Sequence, residues 1–578
     1  MITRFIGKRE WGLILIAIVL ILLQVWMDVS IPDYMGEITD NIVLGEPDIV
    51  LEKGILMLIC AFMSLILSFG AGFVLANLSA SIGRNMRIQQ FDHVQAFSVE
   101  DINRFSAASL ITRSTNDVSQ IQNFIARGLQ ATIKCPIITV WALSKIFDSS
   151  IGWSLLVIAG ILILMAVMFL TIHLAGKHFR KVQWLTDSVN RSVRENLDGI
   201  RVIRAYGAEE YQGTKLSRSN DDLLANNLKA NKVMAFGFPV SQSMMNFVSL
   251  GIYWIGASLI LAITDQSAQF MKYSDMIVFT SYATMVLSAV MMFFGILRML
   301  PRALVGYRRI EEVVDTESSI KDGTVTEGSG HGTVKFDNVS FSYPGSDRKV
   351  LDDVSFTVKE GSTFAIIGPT GSGKSTIISL IARFYDVGSG SISVDGVDVK
   401  QYTQKSLHAR LGYVPQTSII FSGSIAENVN YGDSSEKRTE EDVHRALRIA
   451  QAEDFVEKMR EKEESYVSQQ GKNVSGGQKQ RISIARAVCK DPEIYLFDDS
   501  FSALDYKTDR QLREALRRET KGSTVIIVAQ RIGTIMDADE ILVLDEGRVA
   551  GLGTHDELMR TCELYRDLAM SQMGGDEE

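Results

Sequence analysis

The stretch GPTGSGKST, residues 368–376, determines how this 578-residue chain has to be interpreted. It matches the pattern G-x-x-x-x-G-K-[ST], it follows the buried strand pattern TFAII at residues 363–367, and it precedes the helical pattern IISLIARF. Glycines let backbone N–H groups turn inward around phosphate groups, and the start of the next helix adds positive potential. The sequence therefore predicts a phosphate-binding loop between a strand and a helix.

The side chains near this loop predict how a nucleotide and a metal ion are held. Lys374 can reach the outer phosphates, and the Ser375 hydroxyl can bind Mg²⁺. The apolar strand pattern IYLF at residues 494–497 ends in Asp498, whose carboxylate can hold Mg²⁺ directly or through water. The candidate loop residues are Gly368, Thr370, Gly371, Ser372, Gly373, Lys374, Ser375 and Thr376.

The first half of the chain has a different character, with long uncharged apolar runs. A helix needs about 20 apolar residues to cross the roughly 30 Å core of a bilayer. The third of six candidate spans is the weakest because Lys134 and Pro136 interrupt it. We include it because a basic N-terminus and a nucleotide-binding C-terminal domain, both cytoplasmic, require an even number of crossings. The predicted spans are approximately 11–31, 54–83, 128–147, 151–173, 233–264 and 276–299.

Charge placement agrees with this topology. The arginine-rich segments 84–127 and 173–232 are expected in the cytoplasm. Both lack proline, so we expect them to continue the membrane helices rather than form loose loops. The segment after the first span is expected to be an outside loop because of its acidic residues: Asp33, Glu37, Asp40, Glu46 and Asp48. Lys134 has two interpretations, a functional intramembrane charge or a side chain that reaches a nearby interface.

The composition limits domains and partners. The predicted division is a membrane domain at 1–305, a linker at 306–332 and a nucleotide-binding domain at 333–578. The net charge of -9 provides no basic surface for nucleic acid, so no nucleic acid partner is expected. No small-residue cleavage site follows the first apolar run, which we therefore expect to be a membrane helix rather than a signal peptide.

Further motifs make a family resemblance specific. The stretch VSGGQ, residues 474–478, resembles the signature sequence of ABC ATPases, with Val474 where leucine is usual. Gln416 in YVPQ resembles the family's Q-loop glutamine, which senses Mg²⁺ and the γ-phosphate. Tyr343 stands where the family stacks an aromatic ring on adenine, and Asp505 ends a D-loop-like SALD. The signature residues carried over are Ser475, Gly476, Gly477 and Gln478.

The resemblance extends to the membrane half. Residues 105–117 (FSAASLITRSTND) and 195–205 (ENLDGIRVIRA) resemble cytoplasmic stretches of ABC exporters. The implied fold is an all-α six-helix transmembrane domain with long cytoplasmic helix extensions, followed by an α/β P-loop ABC ATPase domain. The implied cofactors are ATP and Mg²⁺.

Two departures from the family pattern affect the chemistry. Asp499 stands where the family has its glutamate base, and Gln530 stands in IIVAQR where the switch histidine is expected. Aspartate is one methylene shorter, and a misplacement of about 1 Å can cost on the order of 100-fold in rate. Glutamine cannot become a cation, whereas a charged histidine donates from both ring nitrogens. The resemblance therefore implies a site that binds ATP and hydrolyses it poorly.

These departures predict the assembly. In ABC dimers each ATP lies between the phosphate loop of one chain and the signature of the other, so the resemblance implies a heterodimer whose partner has an intact base and switch. The expected function is export of small amphipathic or multidrug-type molecules by alternating access across a bacterial plasma membrane, with the N-terminus and the ATPase domain cytoplasmic. The stretch VSQQGKN before the signature lacks the exporter X-loop glutamate. The alternatives are a slow homodimeric exporter and an ATP-gated or regulatory membrane subunit.

Overall fold

The computed structural model describes residues 2–147, 151–432 and 438–573. The chain divides into two compact units. One comprises Met1–Gln95 and Ala107–Thr316, and the other comprises Ala96–Ser106 and Glu317–Glu578.

The described residues of the first unit form helices joined by short turns. Helices α2, α7, α9 and α10 have 48 to 53 residues, which at 1.5 Å per residue gives about 70–80 Å. This is more than twice the core of a bilayer, so the helices extend far beyond any membrane segment. Their bounds, with α3 belonging to the second unit, are α1 Lys8–Leu44, α2 Pro47–Gln95, α3 Val99–Phe105, α4 Ala107–Thr112, α5 Val118–Asn123, α6 Leu129–Phe147, α7 Ile151–Asp198, α8 Ile200–Ala205, α9 Glu209–Leu261 and α10 Gln266–Asp315. A 3₁₀ helix at Ile2–Phe5 precedes α1, and π-helical turns at Arg113–Asp117 and Phe124–Gly128 flank α5.

Five of the described helices are long and apolar enough to cross a membrane, namely α1, α2, α7, α9 and α10. Helix α6, the predicted third span, is not among these five. Its polar and basic residues Gln130, Lys134 and Lys145 make it less apolar than the other spans. The membrane domain is therefore helical, as expected, while the count of six crossings stays a prediction.

The acidic outside loop that we expected after the first span is wrong as a description of the backbone. Asp33, Glu37 and Asp40 lie within α1, which continues to Leu44. The helix ends only at Gly45, whose φ of 74° is left-handed and which caps the last turn by donating to Asn41 and Ile42. Only Gly45 and Glu46 lie between α1 and α2, so a tight turn, rather than a long acidic loop, connects the two helices.

The acidic and polar residues of α1 have partners on neighbouring helices. The ammonium of Lys134 on α6 lies 2.8 Å from the Asp28 carboxylate, to which Ser64 also donates. The two charged side chains are 18% and 21% exposed. Lys145 pairs with Asp33 at 3.0 Å, so the two lysines of α6 neutralise one face of α1. Lys134 is thus part of an ion pair between helices, whichever interpretation of its role holds.

The second unit is α/β. Its strands are β1 Val334–Phe341, β2 Leu351–Val358, β3 Thr363–Ile367, β4 Ser389–Val394, β5 Val397–Asp398, β6 Leu411–Val414, β7 Gly423–Ser424, β8 Tyr466–Val467, β9 Ile494–Asp498, β10 Thr524–Val528, β11 Glu540–Asp545 and β12 Arg548–Gly553. Its helices after α3 are α11 Lys374–Ile381, α12 Gln404–Arg410, α13 Ile425–Val429, α14 Glu440–Ile449, α15 Glu453–Val456, α16 Gly476–Lys490, α17 Tyr506–Glu519, α18 Ile532–Ile535, α19 His555–Thr561 and α20 Glu563–Met573.

The strands form three sheets. The largest has the order β12-β11-β3-β10-β9-β6, in which β11, β3, β10, β9 and β6 pair in parallel. A second sheet, β2-β1-β4-β5, is antiparallel, and β7 pairs with β8. The predicted strand at 363–367 and the predicted strand that ends in Asp498 are confirmed as β3 and β9. Both are apolar because helices and the second sheet cover the faces of parallel strands.

The start of the predicted linker is helical instead. Helix α10 continues to Asp315, and residues 306–315 therefore do not begin a linker. Tyr307, Ile310 and Val314 are buried at helical spacing in the core of the first unit. The charged residues between them hide this periodicity in the sequence.

Helix α3 packs as part of the second unit. Its N-cap Ser98 and Asp101 form a capping box, and the Asp101 carboxylate also accepts from the Ser319 N–H at 3.0 Å. This contact joins α3, which ends where the exporter-like stretch 105–117 begins, to Ser319 of the same unit.

Candidate functional site

Four neighbouring strands of the large sheet deliver the predicted residues to one edge. The phosphate loop follows β3, Gln530 follows β10, Asp498 and Asp499 end β9, and Gln416 follows β6. Because the carboxyl ends of parallel strands meet at the same edge, these residues lie close together although up to 162 positions separate them in sequence, from Gly368 to Gln530.

The backbone of the phosphate loop requires glycine at two positions. Gly368 has a φ of 156°, and a Cβ there would lie 2.1 Å from the Leu544 carbonyl oxygen. Gly373 has a φ of 99°, and a Cβ there would lie 2.7 Å from the Leu351 side chain. The loop can therefore wind tightly against β11 and β2 only with these residues.

Two groups inside the phosphate loop, a hydroxyl and an ammonium, are available to bind an anion. The buried Ser372 hydroxyl has no hydrogen-bond partner among the described residues. The Lys374 ammonium is buried and donates to the Gly368 and Pro369 carbonyl oxygens, at 2.8 Å each. Burial lowers the pKa of Lys374, while the charges of Asp499 and Asp498 raise it. A buried cation held by neutral carbonyls and an unpaired hydroxyl fit the phosphates of ATP.

Ser375 and Asp498 form a pair suited to a hard cation. The Ser375 hydroxyl donates to Asp498 Oδ1 at 2.7 Å. Burial raises the pKa of Asp498 above its ordinary value, and the hydrogen bond from Ser375 lowers it in part. Hydroxyl and carboxylate oxygens are ligands that Mg²⁺ prefers, so this pair fits a Mg²⁺ site next to the phosphate loop.

The Asp499 carboxylate is held by two amides. Its Oδ2 accepts from Gln530 Nε2 at 2.8 Å and from Gln416 Nε2 at 3.3 Å. Asp499 has a φ of 47°, in the left-handed region, and its N–H donates to the Val528 carbonyl at 2.9 Å. Burial raises the pKa of Asp499, against the lowering effect of hydrogen bonds from Gln416 and Ser502. Gln416 and Gln530 therefore both contact Asp499 directly, as expected for three residues that the sequence placed around the chemistry.

Tyr343 lies beside the phosphate loop. Its hydroxyl is 3.1 Å from the Thr376 hydroxyl, and its ring packs edge-on against Tyr385 and Phe341, with centroid distances of 5.2 and 5.0 Å. The ring that the resemblance assigns to adenine is thus fixed to the first turn of α11.

The signature residues and Asp505 lie apart from this cluster. Ser475 is the exposed N-cap of α16, and it forms a capping box with Gln478. Asp505 caps α17 by accepting from the Thr508 N–H at 3.0 Å. Within the described residues, no hydrogen bond or ion pair joins residues 475–478 or Asp505 to Lys374, Asp498 or Asp499.

The structure adds one residue that the sequence did not suggest. Gln572 on α20 donates to the Gln530 carbonyl oxygen at 2.9 Å and accepts from the Ile532 N–H at 2.8 Å. It lies 42 positions from Gln530, on a C-terminal helix without any motif, so no sequence signal could have identified it.

The comparisons with known proteins identify the family. A family model described as "ABC transporter transmembrane region" matches residues 14–291, and a second one described as "ABC transporter" matches residues 351–502. An ABC transporter ATP-binding protein of Mycobacterium tuberculosis is 38% identical over 550 residues, covering 94% of this chain and 93% of that protein. An ATP-dependent lipid A-core flippase of Pseudomonas fluorescens is 32% identical over 510 residues, covering 87% and 82%.

A solved structure shares the whole fold. The structure of a bacterial Atm1-family ABC exporter with ATP bound matches with a TM-score of 0.83 and 24% identity over 99% of each chain. Fold and site together define an ATP-binding membrane transporter. The chain belongs to the ABC transporters: a membrane domain is fused to an ATPase domain, and the protein couples ATP hydrolysis to transport.

Proposed function

We propose that this exporter subunit carries a weakly hydrolytic ATP site and works in a heterodimer with a second ABC half-transporter. The subunit would supply residues 475–478 to the catalytic site of its partner. The complex would move amphipathic molecules outward across a bacterial plasma membrane by alternating access.

The hydrogen bonding of Asp499 is the main support for this proposal. A general base must present a free lone pair to the water that it activates. Here both amide hydrogen bonds fall on Oδ2, which fixes the carboxylate and leaves Oδ1 as the oxygen for water. Because the side chain is one methylene shorter than the glutamate of the family, Oδ1 would lie short of the place where that glutamate orients water. Gln530 holds this arrangement without a charge of its own, so it cannot supply the positive charge of a protonated histidine.

The other site residues favour nucleotide binding. Lys374, Ser372 and the loop backbone would hold the phosphates, with Tyr343 against the adenine. Ser375, Asp498 and Gln416 would hold Mg²⁺, which supplies charge neutralisation at the β- and γ-phosphates when bound. Lys374 would exchange its two carbonyl partners for phosphate oxygens, a stronger charge-assisted interaction. Strong binding combined with a poorly placed base gives ATP a long residence at this site.

The assembly follows from how the site is divided. The described residues contain one phosphate loop and one signature, and these are not joined by hydrogen bonds within the chain. The N-terminus of the 15-residue helix α16 is exposed and can meet the phosphates held by another chain. A partner with an intact glutamate and histidine would complete one fully catalytic site per dimer.

The substrate class is suggested by relatives and by the membrane domain. The Pseudomonas fluorescens relative is described as a lipid A-core flippase, and a Shewanella relative with the same description is 31% identical over 559 residues. These names favour amphipathic, lipid-like substrates for this chain.

Purification of the tagged full-length chain from the membrane of its own cells tests the assembly. We expect a second ABC half-transporter to co-purify, and we expect ATP turnover of the complex to collapse when the glutamate base of that partner is replaced by glutamine. Recovery of this chain only with copies of itself, with rapid turnover, would establish a homodimeric exporter and contradict the proposal.

A further inference from the structure

Helix α20 contributes side-chain hydrogen bonds to the backbone of the loop carrying Gln530. Gln572 makes both contacts through one side-chain amide, to the Gln530 carbonyl oxygen and to the Ile532 N–H. We propose that Gln572 is a positioning residue for ATP hydrolysis, which fixes the loop at 530–532 and thereby keeps the Gln530 side chain on Asp499. We call this pair of hydrogen bonds the Gln572 clamp.

The loop at 530–532 needs the Gln572 clamp because the backbone hydrogen bonds of β10 end before the loop and those of α18 begin after it. The last backbone pairing of the β10 side is the Ala529 N–H to the Ile366 carbonyl at 3.1 Å. Helix α18 begins at Ile532, and the side chain of its N-cap Arg531 makes no capping hydrogen bond. The first N–H groups of a helix lack partners within the helix, and Gln572 supplies the acceptor for Ile532.

Helix α20 is anchored well enough to act as a fixed support. Tyr565 and Ala569 are fully buried, and Gln572 follows them at the i, i+4, i+7 spacing of one helix face. The Tyr565 hydroxyl also hydrogen-bonds to His555 of α19 at 2.7 Å. On the other side, Ile532 is buried in the same apolar core. The clamp therefore joins two elements that are each held by packing.

Gln530 connects the clamp to the Asp499 carboxylate. The Gln530 carbonyl is held by Gln572 while the Gln530 amide reaches Asp499 at 2.8 Å. Without the clamp, the backbone of 530–531 has no polar contact from α20, and the side chain can leave Asp499. Such displacements change the rate more than the affinity for ATP, because the phosphates are held by the loop at 368–376.

Single-turnover hydrolysis in lipid nanodiscs tests the clamp, with excess protein over radiolabelled Mg-ATP. The protein is the complex with the co-purified partner, whose own glutamate base is replaced by glutamine so that only the site of this chain turns over. We expect Gln572→Ala to lower the rate by about 10-fold, less than the roughly 100-fold that a 1 Å misplacement can cause. The affinity for a fluorescent ATP analogue should stay unchanged. Gln572→Glu should behave like Gln572→Ala, because a carboxylate accepts from Ile532 but cannot donate to the Gln530 carbonyl. The matched control is Gln511→Ala, at an exposed glutamine of α17, with an unchanged rate.

A double-mutant cycle separates positioning from a purely structural role. If Gln572 acts through Gln530, adding Gln572→Ala to Gln530→Ala has no further effect. An equal effect of Gln572→Ala in both backgrounds, or a wild-type rate for Gln572→Glu, would overturn the clamp.

The inference rests on the proposed role of Gln530, and the same cycle separates the two. An unchanged rate in Gln530→Ala sinks the proposed role of Gln530, and the clamp with it. An effect of Gln530→Ala without an effect of Gln572→Ala overturns the clamp alone.

Discussion

At the scale of single residues, the site combines charged groups with neutral hydrogen-bond partners. Lys374 is held by carbonyl oxygens, and Asp499 is held by the amides of Gln416 and Gln530. Neutral partners satisfy the geometry of these groups without opposing their charge. The arrangement suits a site that binds a charged ligand, since the phosphates would provide negative charge for Lys374 and Mg²⁺ would provide positive charge for the carboxylates.

The raised pKa of Asp499 gives a pH-dependent contribution to stability. Because the folded pKa lies above the unfolded value of about 3.9, the folded state binds more protons between the two values. The free energy of unfolding therefore falls as the pH rises through this window and stays lower above it. We expect Asp499→Asn to raise the thermal midpoint at neutral pH, and this gain to shrink as the pH is lowered through the window.

Thermal unfolding of the full-length protein as a function of pH checks this prediction. Asp505→Asn is the matched control: Asp505 is exposed and hydrogen bonds from Thr508 lower its pKa, so its contribution has the opposite sign. A gain from Asp499→Asn that grows at acidic pH would contradict our assignment of burial as the dominant cause.

At the scale of elements, the ion pair between α1 and α6 has a testable energetic signature. Lys134→Ala leaves the partly buried Asp28 without its cation, and breaking such a pair costs about 3 kcal/mol or more. Replacing both partners, as Asp28→Leu with Lys134→Met, should cost less than about 1 kcal/mol, because matched apolar residues often substitute for a buried pair. The free energies of unfolding in nanodiscs provide the measurement.

Transport by the double variant then separates the two interpretations of Lys134. A stable double variant that no longer exports would establish a functional charge. A stable double variant with full export would leave the pair a purely structural contact. A double variant as unstable as Lys134→Ala would refute the energetic argument.

The same elements explain what the sequence could predict. The strands β3 and β9 and the phosphate loop were predictable because their signals are local: apolar runs, glycines and a following helix. The end of α1 was not, because neither the acidic residues nor Pro32 stop a helix that continues to Gly45. The end of α10 was missed because charged residues alternate with its buried face. Gln416, Gln530 and Asp499 were predicted by family resemblance, whereas their mutual hydrogen bonds and the contact of Gln572 depend on the tertiary fold.

At the scale of the whole molecule, the membrane topology depends on whether α6 crosses the bilayer. With six crossings, the turn between α1 and α2 and the turn between α9 and α10 face outward, and the turn between α8 and α9 faces the cytoplasm. With five crossings that exclude α6, the turn between α8 and α9 faces outward and the turn between α9 and α10 faces the cytoplasm. This difference follows from connectivity alone.

Labelling of intact cells with a membrane-impermeant thiol reagent decides between these topologies. We expect Glu46→Cys and Thr264→Cys to react and Tyr206→Cys to stay unlabelled until the cells are permeabilised. The four native cysteines are buried and give a low background. Labelling of Tyr206→Cys in intact cells, with protection of Thr264→Cys, would contradict six crossings.

The central claim is that the residues at 499 and 530 make the ATP site of this chain slow. Single-turnover ATP hydrolysis in nanodiscs by the complex with its partner, whose own glutamate base is replaced by glutamine, tests it most directly when this chain is compared with and without Asp499→Glu and Gln530→His together. We predict slow hydrolysis by the natural chain and an increase on the order of 100-fold in the double variant, the factor that a base misplaced by about 1 Å can cost, at equal ATP affinity. Fast hydrolysis by the natural chain, with no gain in the variant, would show that Asp499 is a competent base and contradict the account.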